Sequence, residues 1–124
     1  MYDKTLVIDG LRDIEETLLH IIDRTSWIKT ADDFATTPTG VDMMDVATIR
    51  LMAVGEEIKK IDKRTQGQLL IQYPNIDWKK ITDLRNLIAH EYFRIDVKEI
   101  FNTVQNRVQP LLTTIQQMIA DLSA

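Results

Sequence analysis

From about Lys4 to Lys29, Val7, Leu11, Ile14, Leu18, Ile21 and Ile28 recur at alternating steps of four and three, closing with one step of seven. Leu6, Leu19 and Ile22 widen this stripe, so the spacing predicts a long amphipathic helix. Thr30-Ala31-Asp32-Asp33 offers a capping-box-like start for a short helical turn around Phe34. Thr36-Thr37-Pro38-Thr39-Gly40 is the clearest break. A second helix is expected from about Asp42 to Lys63, on Met43, Val46 or Ala47, Leu51, Val54, Ile58 and Ile61. Gly55 sits inside it at a cost of up to ~1 kcal/mol relative to Ala, which a close helix–helix approach would explain. Glu56, Glu57, Lys59, Lys60, Lys63 and Arg64 form a charged face, most of it expected to be solvated. Gln68 to Tyr73 is expected to make one helical turn, stopped by Tyr73-Pro74-Asn75. Asp77 is the N-cap of a third helix that carries Trp78, Ile81, Leu84, Leu87 or Ile88, and Tyr92 on its apolar side. Asp96, with Glu99 three residues on, opens a fourth that runs to about Leu122, bent at Pro110. No alternating strand pattern competes. The expectation is an all-α bundle of four main antiparallel helices with short helical extras, forming a single domain over residues 1–124.

Composition narrows the function classes. The chain has no cysteine, so it has neither disulfides nor thiolate metal sites, and a reducing cytoplasmic setting fits. Met1 to Leu6 lacks the basic and apolar regions of a signal peptide, and no apolar run reaches membrane-spanning length. The net charge of −4 argues against a generic nucleic-acid binder. That charge is uneven: residues 1–45 hold four basic and ten acidic side chains, whereas residues 46–98 hold ten basic and seven acidic. The later segment permits a phosphate-bearing substrate without demanding one.

Within that segment, Asp83-Leu84-Arg85-Asn86-Leu87-Ile88-Ala89-His90-Glu91-Tyr92 gathers the residues able to do chemistry. On a continuous helix Asn86 and His90, four apart, share a face, so the amide could orient the imidazole. Arg85 and Tyr92, seven apart, would share another. Arg85 and His90 would stand roughly 140° apart around the axis. Either the arginine reaches round, or a second copy of the helix supplies the complementary group. An imidazole, with an ordinary pKa near ~6.5, is the natural general acid/base. His20, beside an apolar stripe without polar companions, reads as structural. The two histidines are too far apart in sequence pattern to form a metal pair, and Glu91 points away from His90 on a helix. There is no Gly-rich phosphate loop or Gly-x-Ser-x-Gly elbow. Met43, Met44 and Met52 read as core or subunit contact. An arginine and a histidine without a metal suit RNA cleavage by the ribose 2′-hydroxyl, the histidine moving protons and the arginine stabilising phosphate charge.

The run Arg85-Asn86-Leu87-Ile88-Ala89-His90-Glu91-Tyr92 resembles the R-x4-H-x-Y motif of HEPN-domain proteins, specifically the HepT toxin family. Ala53-Val54-Gly55-Glu56-Glu57-Ile58, Tyr73-Pro74-Asn75-Ile76-Asp77-Trp78 and Tyr92-Phe93-Arg94-Ile95-Asp96 carry the resemblance along essentially the whole chain. It implies a HEPN-type helical-bundle homodimer with two Arg/His motifs in a cleft at the subunit interface. The implied activity is a metal-independent endoribonuclease without a cofactor, acting as the toxin of a type II toxin–antitoxin pair. Its implied partners are RNA and an MntA-like minimal nucleotidyltransferase antitoxin that silences the toxin by transferring AMP to the motif tyrosine. By position, Arg85 and His90 would be catalytic, Asn86 supporting, and Tyr92 the site of AMPylation. The competing expectation is a non-catalytic bundle that serves only as binding partner and protein substrate of a nucleotidyltransferase.

Overall fold

A computed structural model describes residues 2–124, and among them every regular element is helical. Five helices follow in order: α1 (Lys4–Arg24), α2 (Pro38–Arg64), α3 (Trp78–His90), α4 (Val97–Asn106) and α5 (Val108–Ser123). Short 3-10 turns stand at Ala31–Phe34, Leu70–Gln72 and Tyr92–Arg94. Four starts are fixed by side chains that accept otherwise orphaned backbone N–H groups. Asp3 accepts from Thr5 and Leu6, Thr37 from Gly40, Asp77 from Lys80, and Asp96 from Lys98.

Helix limits differ from the sequence pattern in three places. The apolar stripe continues to Ile28, but α1 stops at Arg24: past Thr25 the N–H groups of Ser26 and Ile28 bond only three residues back, to Asp23 and Thr25, and the Thr25 hydroxyl caps the Ile21 carbonyl. Ile28 is still fully buried, now from the following turn. Conversely, α2 begins at Pro38, inside the stretch expected to be a break. Proline fits the first helical position, where no intrahelical N–H is needed, and Thr37 caps it. Finally, the expected bent fourth helix is two helices. Pro110 cannot donate to the Asn106 carbonyl, so α4 ends on the Arg107 N–H to Thr103 bond and α5 restarts on the Leu111 N–H to Arg107 bond.

The core is a continuous cluster built from α1 (Val7, Leu11, Ile14, Leu18, Ile21), α2 (Ala47, Leu51, Val54, Ile58, Ile61) and α5 (Leu111, Leu112, Ile115, Met118). Helix α1 packs between α5 and α2, and α4 closes one end against α2 and α5. There Phe34 meets Phe101 edge-on, with centroids 6.5 Å apart. Leu6 and Leu19, at the margins of the α1 stripe, are about half exposed, so the stripe buries less than its full width.

The turn before Phe34 contains the expected acidic cap. The Asp33 carboxylate accepts the backbone N–H groups of Lys29 at 2.7 Å and Thr30 at 3.1 Å. These bonds favour the ionised form and hold the carboxyl below its ordinary value of 3.8. The stabilisation is therefore present above that value and is lost as pH falls through the lower, folded-state value. Asp33→Asn should lower Tm at neutral pH, and in thermal melts the gap should begin to narrow near pH 3.8 and close only below the lower, folded-state value.

Candidate functional site

Helix α3 is positioned from its root. Before it, the Tyr73 hydroxyl donates to Asp121 of α5 at 2.6 Å, and the Asn75 amide donates to Thr114 of α5 at 2.9 Å. The Trp78 indole N–H returns to the Tyr73 carbonyl at 3.0 Å, locking the turn onto the first helical residue. Partial burial, followed by the Asp121 hydrogen bond and charge, pushes the Tyr73 phenol up to about 12, so it remains a donor at any physiological pH.

Along its length α3 packs chiefly on α2. Leu84 and Ile88 are buried, while Trp78, Ile81 and Leu87 are partly covered. The approach is closest at Gly55. A methyl group there would sit 2.5 Å from Cβ of Arg85 and 3.2 Å from the Ile81 carbonyl oxygen. The mid-helix glycine thus admits the motif helix, as its position predicted.

That contact delivers Arg85 beside the next residue of α2. The half-buried guanidinium meets the Glu56 carboxylate through both Nε and Nη2. Its Nη1 donates to the Asn86 side-chain oxygen at 3.0 Å. Asn86 is therefore engaged with Arg85, and no hydrogen bond joins it to His90 among the described residues. His90, the last residue of α3, is exposed, with no intrachain side-chain hydrogen bond among those residues. Glu91 leaves helical geometry at φ −138°, ψ 47°, so Tyr92 lies in the following 3-10 turn. The expected seven-residue alignment of Arg85 with Tyr92 on one helical face therefore does not form.

Tyr92 is instead tied to α2, its hydroxyl donating to Asp45 at 3.1 Å. That bond, with smaller contributions from burial and the Asp45 charge, raises the phenol above its ordinary value. Phe93 stacks edge-on against the Tyr92 ring at 5.8 Å and is otherwise 99% exposed. Two clefts flank α3. The more apolar, about 370 Å³, separates α3 from α4 and α5 over Leu51, Ile81, Leu84, Leu87, Val108 and Leu111, and none of the four motif residues lines it. The other, between α2 and the root of α3, is bordered by Lys59, Lys79, Thr82 and Asn86. Among the described residues no three His, Asp or Glu side chains converge as a metal site requires, and no helix is long and apolar enough to cross a membrane.

The profile described as HepT-like, "Ribonuclease HepT-like", matches residues 11–118, a span that contains all of α2, α3 and α4. The chain belongs to the HepT-like ribonuclease family. Similar proteins come from Methanocaldococcus jannaschii. "Putative RNase MJ0127" is 31% identical over 113 residues, covering 90% of this chain and 86% of the relative. "Gamma-glutamylcyclotransferase and putative RNase MJ0434" is 25% identical over 117 residues, covering 90% of this chain and half of the relative. No solved structure matches.

In this HepT-like chain two partners lie beyond what the sequence pattern predicts. Glu56, on a face expected to be mostly solvated, receives Arg85, and Asp45, which the pattern does not single out, receives Tyr92. The available signal for Glu56 was its neighbour Gly55, which marks the point where α2 and α3 touch.

Proposed function

We propose that this protein is a metal-independent endoribonuclease and the toxin of a cytoplasmic toxin–antitoxin pair, with Arg85 and His90 as its catalytic residues. The observation that carries this is an exposed imidazole at the end of α3, five residues after a guanidinium fixed on the same helix, within a ribonuclease-family scaffold. His90 would take the ribose 2′-hydroxyl proton as that oxygen attacks the adjacent phosphorus. Arg85 would stabilise the charge growing on the phosphate oxygens while the 5′-oxygen leaves, giving a 2′,3′-cyclic phosphate. The deciding experiment is RNA cleavage in EDTA by the purified protein and by Arg85→Ala and His90→Ala. Metal-free cleavage that disappears in both folded variants is expected. Equal residual cleavage in all three samples would instead identify a contaminant and favour the nucleotidyltransferase-partner reading.

The exposed Phe93 supports the homodimer. A phenyl ring left in water beside the motif gains about 1.5–3 kcal/mol when buried. Phe93→Ser should therefore weaken self-association by at least tenfold, read by sedimentation across a dilution series. Unchanged association would place the interface elsewhere.

The exposed Tyr92 supports the AMPylation site. Its phenol oxygen would attack the α-phosphorus of ATP held by an MntA-like antitoxin, pyrophosphate leaving, with the Asp45 carboxylate placed to accept the phenolic proton. The added anionic phosphate would then lie close to the RNA-binding face and repel substrate.

A further inference from the structure

We infer that Glu56 is a positioning residue for Arg85, aiming one edge of its guanidinium at the scissile phosphate. The inference rests on the ribonuclease reading above for the identity of the ligand, though the contact itself does not.

A guanidinium carries five N–H groups in one plane. Nε and Nη2 present one edge, and Glu56 occupies it. One hydrogen of Nη1 goes to Asn86. One hydrogen then remains on each of Nη1 and Nη2, leaving two donors for phosphate oxygens. A free arginine would scatter these donors over many rotamers. Here the stem is pressed against Gly55 and the head is held from two sides by Glu56 and Asn86. The carboxylate has a second effect. It lies next to the phosphate position and repels the substrate, so it favours orientation at the expense of affinity.

These two effects give Glu56 a signature that scaffold damage would not. Three proteins are compared: wild type, Glu56→Gln and Glu56→Ala, each verified as folded by circular dichroism. Cleavage of an RNA oligonucleotide gives kcat and KM, and the 2′-O-methyl version of the same oligonucleotide, which cannot be cut, gives Kd. Glu56→Ala should lose roughly tenfold to hundredfold in kcat, the scale of a misplaced group. It should bind the uncleavable RNA roughly threefold more tightly, because a nearby negative charge is gone. Glu56→Gln, which keeps an oxygen acceptor, should bind as tightly and recover part of kcat. Parallel losses of kcat and affinity, or no change in either, would overturn the proposal.

A third readout separates this inference from the ribonuclease reading. In nitrogen-15 NMR the Arg85 Nε–H should exchange slowly with water in wild type and Glu56→Gln, and rapidly in Glu56→Ala. If wild type cuts no RNA, the ribonuclease reading fails, but this exchange pattern still decides whether Glu56 holds Arg85. Equal exchange in all three proteins overturns the positioning role whatever the activity. If Glu56→Ala does not fold, Glu56→Gln decides alone, by tighter binding with lower kcat.

Discussion

His90→Ala is expected to cut RNA about 10²- to 10⁴-fold more slowly than wild type, the usual loss for a positioned acid/base. Its fold should be unchanged. His90 is exposed at the last position of α3, and its side chain makes no intrachain hydrogen bond among the described residues, so removing the ring leaves no buried group unpaired. Rate and stability should therefore separate cleanly: a large fall in kcat, measured as initial rates in EDTA, with Tm within a degree or two of wild type. A comparable fall in Tm would show that the imidazole supports the fold. Binding of uncleavable RNA should change little, since the proposed loss falls on proton transfer.

Gly55→Ala should show the opposite coupling, with stability and activity falling together. An alanine in a helix interior is ordinarily favoured over glycine by up to ~1 kcal/mol. Here the added methyl would stand 2.5 Å from Cβ of Arg85, a backbone-anchored atom that cannot swing aside. Overpacking of this kind costs typically ~1–3 kcal/mol, so the net effect is a loss of up to about 2 kcal/mol. Relief requires α3 to move away from α2, carrying Arg85 away from Glu56. Denaturant melts and cleavage rates on the same preparation check both halves. Greater stability in Gly55→Ala would mean that the helices part without cost.

The sequence shows most clearly where one element decides the outcome by itself. The period of α1 and α2, the caps at Asp77 and Asp96, and the Thr30–Asp33 turn depend on neighbours within a few residues, so they were readable. The motif was readable because its residues are consecutive. What could not be read depends on distant chain. The Arg85–Glu56 pair spans 29 residues and Tyr92–Asp45 spans 47. The periodicity of α1 continued through Ile28 because a buried residue looks alike on a helix or in a turn. Tyr92 fits the helical spacing for the same reason, although the backbone turns away at Glu91. Pro110 predicts a disturbance, but whether a helix bends or restarts depends also on where its two halves pack, here α5 chiefly on α1 and α4 on α2 and α5, which local pattern does not record.

Helix α3 is a beam held at both ends. Its root is fixed to α5 through Tyr73 and Asn75, and His90 stands about 20 Å away along thirteen residues. A tilt of about 5° at the root would swing an unsupported end by roughly 1.7 Å, enough to misplace a reacting group by the margin that costs about a hundredfold in rate. The far end is not unsupported: Ile88, two residues before His90, is buried, and Tyr92, two residues after it, is bonded to Asp45 of α2. The proposed acid/base thus stands exposed between two anchored points, so its reach comes from its own side chain rather than from sway of the helix.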